Sequence, residues 1–409
     1  CAGRTPKTHV PTDYSSLSDV RQEPSELRRR ICVRSACNRS QELRQLSDLF
    51  PAAVRAPQNQ SALREHRRTT TRRLLPLVFA MKRAAPATPT KGAKPKPKRA
   101  RQPLSCGALL PPTEPLFTIG GDDATTALVA AELIRRPSAR NRSPYVADVR
   151  LPCGRVAIAH VPSLDLGGKC LAGAKVLVKP AVDAKGRLVG PDAVSPKYGT
   201  PKCEFICQLA ELPGGGYVGA HPSLGERAAQ ALLTRTSLLA DVWAGDRASA
   251  VLDREVTGPR GADMRSDFVI SGGDAPETVL EVKTVVDASL DAGMTTSSTD
   301  AVAGLFPWGK CNQKGPDGEK VVSARAIKHV DALATIQREG VSRGAVLFVV
   351  ARNDATSFRP HAERCPSFAA HLSAAKGSGV TIVARRLRWE VADGVAEAHD
   401  GGAVPVELP

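Results

Sequence analysis

Aromatic side chains are scarce in this chain: 3 Trp, 4 Tyr and 9 Phe make up 4% of its 409 residues. So few π-faces argue against a protein that reads single strands by stacking bases on aromatic platforms. Any nucleic-acid contact is expected to fall on phosphate instead. Long apolar runs are missing as well. The longest uncharged one in the N-terminal third, residues 74–81, falls far short of the ~20 residues a membrane span needs, and no membrane partner is expected. The 10 cysteines include no paired Cys-x-x-Cys units. Cys203 and Cys207 lie four apart without a second pair, which leaves a zinc site unsupported and points to reduced, mostly buried thiols in an intracellular compartment. No phosphate loop is present either: GGDDATT lacks the lysine, and LPGGGYVG reads as a turn.

Acidic residues are short in one place only. Residues 1–105 carry 23 Lys or Arg against 7 Asp or Glu, whereas the remainder carries 34 of each. The net charge of +16 therefore belongs to the N-terminal third, and any nucleic-acid surface on the rest must be a local patch. That third is dense in Arg, Pro, Ser, Thr and Gln without sustained periodicity, a composition that favours disorder. Met81 opens MKRAAPATPTKGAKPKPKRARQ and is expected as a translation start, which would leave residues 1–80 untranslated. The Pro-interrupted basic run 82–101 resembles a nuclear localisation signal or a nucleic-acid tether. An Arg-rich, acid-poor leader resembles an organelle transit peptide. Nucleus and organelle both stay open.

Beyond residue 115 the pattern becomes that of a folded protein. Residues 125–136 suggest a short helix. Residues 145–151, 155–160, 174–179, 205–209 and 216–219 suggest strands separated by Gly and Pro turns, as in a small barrel of OB type. Ser223, with Glu226 three residues later, suggests a capping box opening a helix to about Ala240. Strands follow at 254–256, 268–270 and 279–283, then a Thr/Ser-rich loop at 294–300. A helix at 323–339, an apolar strand at 345–351 of the kind buried on both faces, a helix at 367–375 and a strand at 380–385 complete the series. Strand–helix–strand steps of this kind imply parallel crossovers, a plan shared with restriction-endonuclease-like cores.

One hairpin in that series concentrates chemistry. Asp267 stands at the mouth of strand 268–270, and Glu281 and Lys283 lie two apart on the next strand, so they share a face while Val282 points away. Two carboxylates on adjacent strands can hold one hard divalent cation through oxygen ligands, Mg²⁺ or Mn²⁺. A lysine beside them can orient the attacking water or offset charge on phosphate. The same short pattern also fits a solvated strand face carrying an ion pair.

The stretches YVADVRLPCGRVAIAHVP, KYGTPKCEFICQLA, YVGAHPSLGERAAQALL, REV, RSDFVI, LEVKTV, GLFP, SARAIKHVDAL, AVLFVVARNDATSFRP and GVTIVARR resemble, in order, the sugar fermentation stimulation protein A (SfsA) family. They span roughly 240 of the 409 residues. The resemblance implies an α/β (α+β) fold: an OB-like small barrel, then a PD-(D/E)XK nuclease-like mixed-sheet domain, behind a disordered basic tail. The expected boundaries are 1–114 for the tail or targeting segment, 115–220 for the OB-like domain, 221–395 for the nuclease-like domain and 396–409 for a C-terminal tail. The resemblance further implies DNA binding and places Asp267, Glu281 and Lys283 at the nuclease-like metal and lysine positions. Glu255 falls on the acidic residue before the Asp strand, and Glu226 on the preceding helix, where it reads more readily as a cap. Two departures stand out. After Phe306-Pro307 the family usually continues Asp-Ala-Val-Thr where this chain has Trp308-Gly-Lys, and the segment at His160 lacks the family's Asn and Thr.

Basic side chains complete the expected surface. Arg325, Lys328 and His329, spaced three and four apart, would share one exposed helix face and touch phosphate. Arg140, Arg142, Lys175 and Lys179 would line a backbone-tracking groove on the barrel. Two functions remain open: a DNA-binding protein with a Mg²⁺- or Mn²⁺-dependent phosphodiesterase site, or a regulatory binding module whose nuclease-like fold no longer cuts. Because the folded part is neutral, removal of residues 1–105 should weaken DNA affinity and flatten its dependence on salt. An unchanged salt slope in binding titrations would instead place the phosphate contacts in the folded part.

Overall fold

A computed structural model describes residues 101–163, 166–289 and 301–409. The basic stretch 1–100 and the Thr/Ser-rich loop 294–300, with the expectations attached to them, lie outside the described residues.

The chain enters with two short strands, β1 (Leu104–Ser105) and β2 (Phe117–Gly120), then makes β3 (Val129–Arg135), β4 (Val146–Arg150), β5 (Val156–His160), β6 (Lys175–Pro180), β7 (Phe205–Glu211) and β8 (Tyr217–Gly219). β3 to β8 form one sheet in the order β5-β4-β3-β6-β7-β8, and an added parallel pairing of β5 with β7 closes five of the strands into a barrel. Closure removes free edges. Its interior is filled by small and branched side chains, among them Leu133, Val149, Ala159 and Val176.

Helices α1 (Ser223–Arg235) and α2 (Leu238–Val242) follow, then β9 (Val251–Thr257), β10 (Arg265–Ser271) and β11 (Thr278–Val285). After β12 (Asp287–Ala288), β13 (Ala303–Phe306), β14 (Gln313–Lys314) and β15 (Lys320–Val321) come α3 (Ala324–Glu339), β16 (Arg343–Val350), β17 (Ser357–Pro360), α4 (Pro366–Gly377), β18 (Thr381–Ala392) and β19 (Val395–Ala403). The main sheet has eight strands in the order β1-β9-β10-β11-β16-β18-β19-β2. β9, β10 and β11 form an antiparallel meander, while β11, β16 and β18 run parallel through the crossovers α3 and α4. This is the OB-like barrel plus mixed sheet that the strand pattern and the resemblance imply.

Alternation sorts the side chains of β11 between two cores. Leu280 joins Leu224, Leu232, Phe268 and Leu347 under α1 and α2. Val279 and Val285 join Ile327, Val330, Leu333, Phe348 and Phe368 under α3 and α4. Central β16 is covered by both layers and is fully buried from Ala345 to Ala351. Ser323 caps α3, accepting from Ala326 N at 3.2 Å, and Gly340 ends it at φ 75°. The barrel meets the sheet where Gly219 N donates to Ala351 O at 2.8 Å and Lys169 pairs with Asp287 at 3.4 Å, both side chains buried.

Several expected boundaries shift. The helix expected at 125–136 is a turn followed by β3. Its Ala, Glu and Leu favour helix, yet pairing with both β4 and β6 overrides that preference. Ser223 is the first helical residue and makes no capping bond. Pro222 holds the cap position, and the Ser223 hydroxyl meets His221 Nδ1 at 2.7 Å instead. The single helix expected to about Ala240 breaks after Arg235 and restarts as α2. β1, placed in the tail by the sequence, pairs with β9, and β2, placed in the OB-like domain, pairs with β19. β19 itself occupies most of the expected C-terminal tail and pairs with β18 along its length.

α1 lies close on β11 because it has a glycine there. A Cβ at Gly225 would come within 1.8 Å of Thr284 Oγ1 and 2.9 Å of Thr284 Cβ. Gly225→Ala should cost about 1–3 kcal/mol by overpacking, and adding Thr284→Ala should restore part of it. Equal denaturation midpoints for Gly225→Ala and the parent would show that α1 shifts freely on the sheet.

Candidate metal centre

The β10–β11 ladder runs from Ile270 opposite Thr278 to Phe268 opposite Leu280. Continued by one residue it sets Asp267 across from Glu281, on the face covered by α3. There the strands part, and the backbone N–H of Val282 donates to Asp267 Oδ2 at 2.7 Å. Cross-strand neighbours of this kind have Cβ atoms ~5 Å apart. Asp267 and Glu281 thus share one face of adjacent strands, as the alternation implies.

Glu281 is 3% exposed. Its Oε1 accepts from Lys283 Nζ, itself largely covered, and from His329 Nδ1 at 2.6 Å. Its Oε2 is buried without a hydrogen-bond partner. Burial alone would raise the Glu281 carboxyl, but the bonds from His329 and Lys283 outweigh it and hold the group below its usual range. Asp267 has no such pair of donors. Burial first, then the Glu281 charge, pushes it from 3.8 up to about 6. The two shifts have opposite signs because the donors Lys283 and His329 sit on one carboxylate and not on the other.

A buried carboxylate with an orphaned oxygen and a half-buried one across the ladder fit a hard cation. A buried carboxylate oxygen left unpaired is costly, and the donor set is all oxygen, as Mg²⁺, Mn²⁺ or Ca²⁺ requires. Asp267 and Glu281 would hold such an ion.

The register also places Glu255 of β9 opposite Asp267, between the pairs Arg254–Phe268 and Val256–Ser266. Its backbone is left-handed there, φ 55°, and its carboxylate pairs with Arg265. The structure therefore aligns Glu255 with the pair but gives its charge to an arginine. Glu226 is exposed in the first turn of α1, across the sheet from Glu281.

His329 is the main correction. It was expected on an exposed, phosphate-facing helix side with Arg325 and Lys328, yet it is 4% exposed and bonded to Glu281. The signal was present: Ala326, His329, Val330 and Leu333 follow the i, i+3, i+4, i+7 stripe of the buried face. Arg325 and Lys328 are exposed. They border a cleft of about 560 Å³ beside His329, lined also by Thr257, Asp263 and Arg265. Lys328 pairs with Asp263, both side chains more than half exposed, a contact that a phosphate could displace at little cost.

The barrel cations do not form one groove. Arg140 donates to Pro191 O and lies 3.9 Å from buried Glu204, and Arg142 is exposed nearby. Lys179 reaches the same end of β6, where Pro180 pairs with Phe205. Lys175, four residues earlier and so ~13 Å away along the strand, instead sits 4.0 Å from Glu211. Trp308, where the family usually has Asp, packs its ring against His361 at 5.0 Å. Among the described residues one three-ligand cluster lies elsewhere: Glu390, Glu397 and His399 on the β18–β19 hairpin. Its Glu390 pairs with Arg388 and its His399 Nε2 meets Glu397 at 3.1 Å. The sequence reading missed it because β19 read as tail.

An α+β protein with an OB-like barrel and a carboxylate pair on a mixed sheet is thus defined. The family model described as "Sugar fermentation stimulation protein RE domain" matches residues 316–393. The sugar fermentation stimulation protein homolog of Symbiobacterium thermophilum is 30% identical over 292 residues, covering 71% of this chain and 98% of its own length. That of Syntrophotalea carbinolica is 28% identical over 265 residues, covering 63% and 91%. The solved structure titled "The structure of Pyrococcus Furiosus SfsA in complex with Ca2+" aligns with a TM-score of 0.49 at 19% identity, covering 71% of this chain and 99% of that one. The chain belongs to the sugar fermentation stimulation protein (SfsA) family.

The raised Asp267 carboxyl has a consequence for stability. Between 3.8 and about 6 the folded state holds a proton that the unfolded state has released. Metal-free stability therefore falls as pH rises through that window, and the deficit is complete above it. At ~1.4 kcal/mol per unit the loss is at most about 3 kcal/mol. Asp267→Asn should raise the metal-free melting temperature at pH 8 and leave it nearly unchanged at pH 4. An equal change at both pH values would show that Asp267 does not titrate in this way.

Proposed function

We propose that this protein binds DNA and carries, on its mixed sheet, a Mg²⁺- or Mn²⁺-dependent phosphodiesterase site formed by Asp267, Glu281 and Lys283. The observation that carries the reading is Glu281: a buried carboxylate on the α3-covered face, one oxygen held by two donors and the other buried without a hydrogen-bond partner, across the ladder from Asp267. A divalent cation held there would activate a water for attack and offset charge on the phosphate. Asp267 and Glu281 supply the negative oxygens that hold it. Lys283 anchors Glu281 and keeps a positive charge at the point where phosphate charge grows. Arg265, Arg325 and Lys328, around the neighbouring cleft, supply contacts to the nucleic-acid backbone, which position the chain without reading sequence. The N-terminal basic stretch adds a sequence-independent tether.

A second reading rests on Lys283. Its ammonium is already engaged by Glu281 and mostly covered, so the site could serve a binding module that holds a cation and DNA without cutting.

The test is an incubation with Mg²⁺ or Mn²⁺ on single- and double-stranded DNA and RNA, alongside direct Mn²⁺ titration. Cleavage that vanishes in Asp267→Asn and Glu281→Gln, with Lys283→Ala keeping Mn²⁺ affinity and losing at least ~100-fold in rate, supports the enzyme. Mn²⁺ and DNA binding without cleavage in the native chain supports the binding module. Mn²⁺ affinity indifferent to Asp267→Asn refutes both.

A further inference from the structure

Nothing in the proposed reaction so far uses His329, although its side chain is among the most completely buried polar groups of the main sheet's α3 face. It stands on α3 in the buried stripe with Ala326, Val330 and Leu333, a place where an apolar residue would pack as well. Burying an imidazole there is unfavourable unless its ring nitrogens are satisfied. Both are. Nδ1 meets Glu281 Oε1 at 2.6 Å, and Nε2 accepts from Arg325 Nε at 3.4 Å. An arginine nitrogen can only donate, so Nε2 must present its lone pair, and the ring proton is carried by Nδ1 toward Glu281. Arg325 reaches one helical turn forward to set this, at the rim of the cleft that His329 also lines.

We infer that His329 is a positioning residue for the cation site: oriented by Arg325, its Nδ1–H pins Oε1 of Glu281 and leaves Oε2 as the oxygen open to a divalent ion. This rests on the carboxylate pair being a cation site, the reading proposed above. Lys283 alone would not fix the carboxylate, because an ammonium is a rotatable point charge on a flexible stem. The imidazole adds a directional bond from a helix that cannot move without disturbing the core. Groups that hold a ligand carboxylate in this way typically contribute 10- to 100-fold to metal affinity.

The test measures Mn²⁺ affinity of the full chain by titration calorimetry, with no turnover involved, and compares two replacements. Asparagine can set its Nδ2 donor near the position of His329 Nδ1, whereas leucine fills the space without a donor. His329→Asn should bind Mn²⁺ within a few-fold of the parent, and His329→Leu about 10- to 100-fold more weakly. If the role were packing alone, leucine would be the better substitute. Arg325→Met alters an exposed side chain and so spares the fold. It should weaken Mn²⁺ binding in the same direction by less. Thermal unfolding of each variant confirms that the affinities are read on folded protein, and ¹⁵N NMR of the metal-free parent should find the His329 proton on Nδ1. Should Asp267→Asn abolish Mn²⁺ binding while His329→Leu binds as tightly as the parent, the positioning role is refuted and the cation site stands. Should the parent bind no Mn²⁺, or Asp267→Asn bind it unchanged, the cation site itself is refuted.

Discussion

A carboxylate buried in the middle of a mixed sheet is the constraint on which this site depends. Glu281 is on β11, hydrogen-bonded in register to β16 on one side and next to β10 on the other. An isolated charge there would cost several kcal/mol or be lost by protonation. The chain keeps it ionised by placing a lysine two residues on and a histidine on the crossover helix. Those partners are not interchangeable with solvent, because α3 seals the face. The packing of α3 and the charge state of Glu281 are therefore one problem: a shift of the helix that moved His329 would strand the carboxylate.

The topology explains why the site forms where it does. β10 and β11 pair through Phe268 and Leu280 and then separate, which frees the Val282 N–H for the Asp267 side chain. That bond orients one carboxylate while the helix orients the other. On the reverse side, α1 approaches β11 closely enough to require glycine at 225, so the strand carrying Glu281 and Lys283 is clamped from both faces. Precise placement of side chains on a rigid strand is what the proposed metal site would need, and here it follows from the ordinary packing of a three-layer sheet.

How far the sequence disclosed this depended on the range of the interaction. The two-residue alternation of Glu281 and Lys283 is local and put both on one face, whereas Asp267 joins them through the β10–β11 register. The crossover helices and the doubly buried strand 345–351 were equally plain from their periodicity. The edge strands β1 and β2 were not: they are short, and what makes them strands is pairing with β9 and β19, distant in the chain, while β19 itself is glycine-bearing and lies between β18 and β2. His329 shows a different failure. Spacing from Arg325 put both on one helix side, but spacing cannot say which side faces the sheet. The apolar residues flanking it, Ala326, Val330 and Leu333, carried that information. A polar residue inside an apolar stripe is where local inference and function diverge.

The same tension appears in the energetics of the pair. Glu281 is stabilised as an anion by its donors, and its charge in turn raises Asp267 toward neutrality. Without a cation, the folded chain must either protonate Asp267 or hold two negative groups side by side. With one, both carboxylates can be ionised together, and the unpaired Oε2 gains a partner. An ion that binds the folded state alone would add RT ln(1 + [L]/Kd) to stability, and it would do so where the metal-free protein is least satisfied. A purely structural ion pair would have closed that deficit with another lysine or arginine. The exposed cations Arg325 and Lys328 stand instead at the rim of the cleft beside His329. Carboxylates inside and exposed cations outside is the arrangement that the proposed binding of a cation together with a polyanion would use.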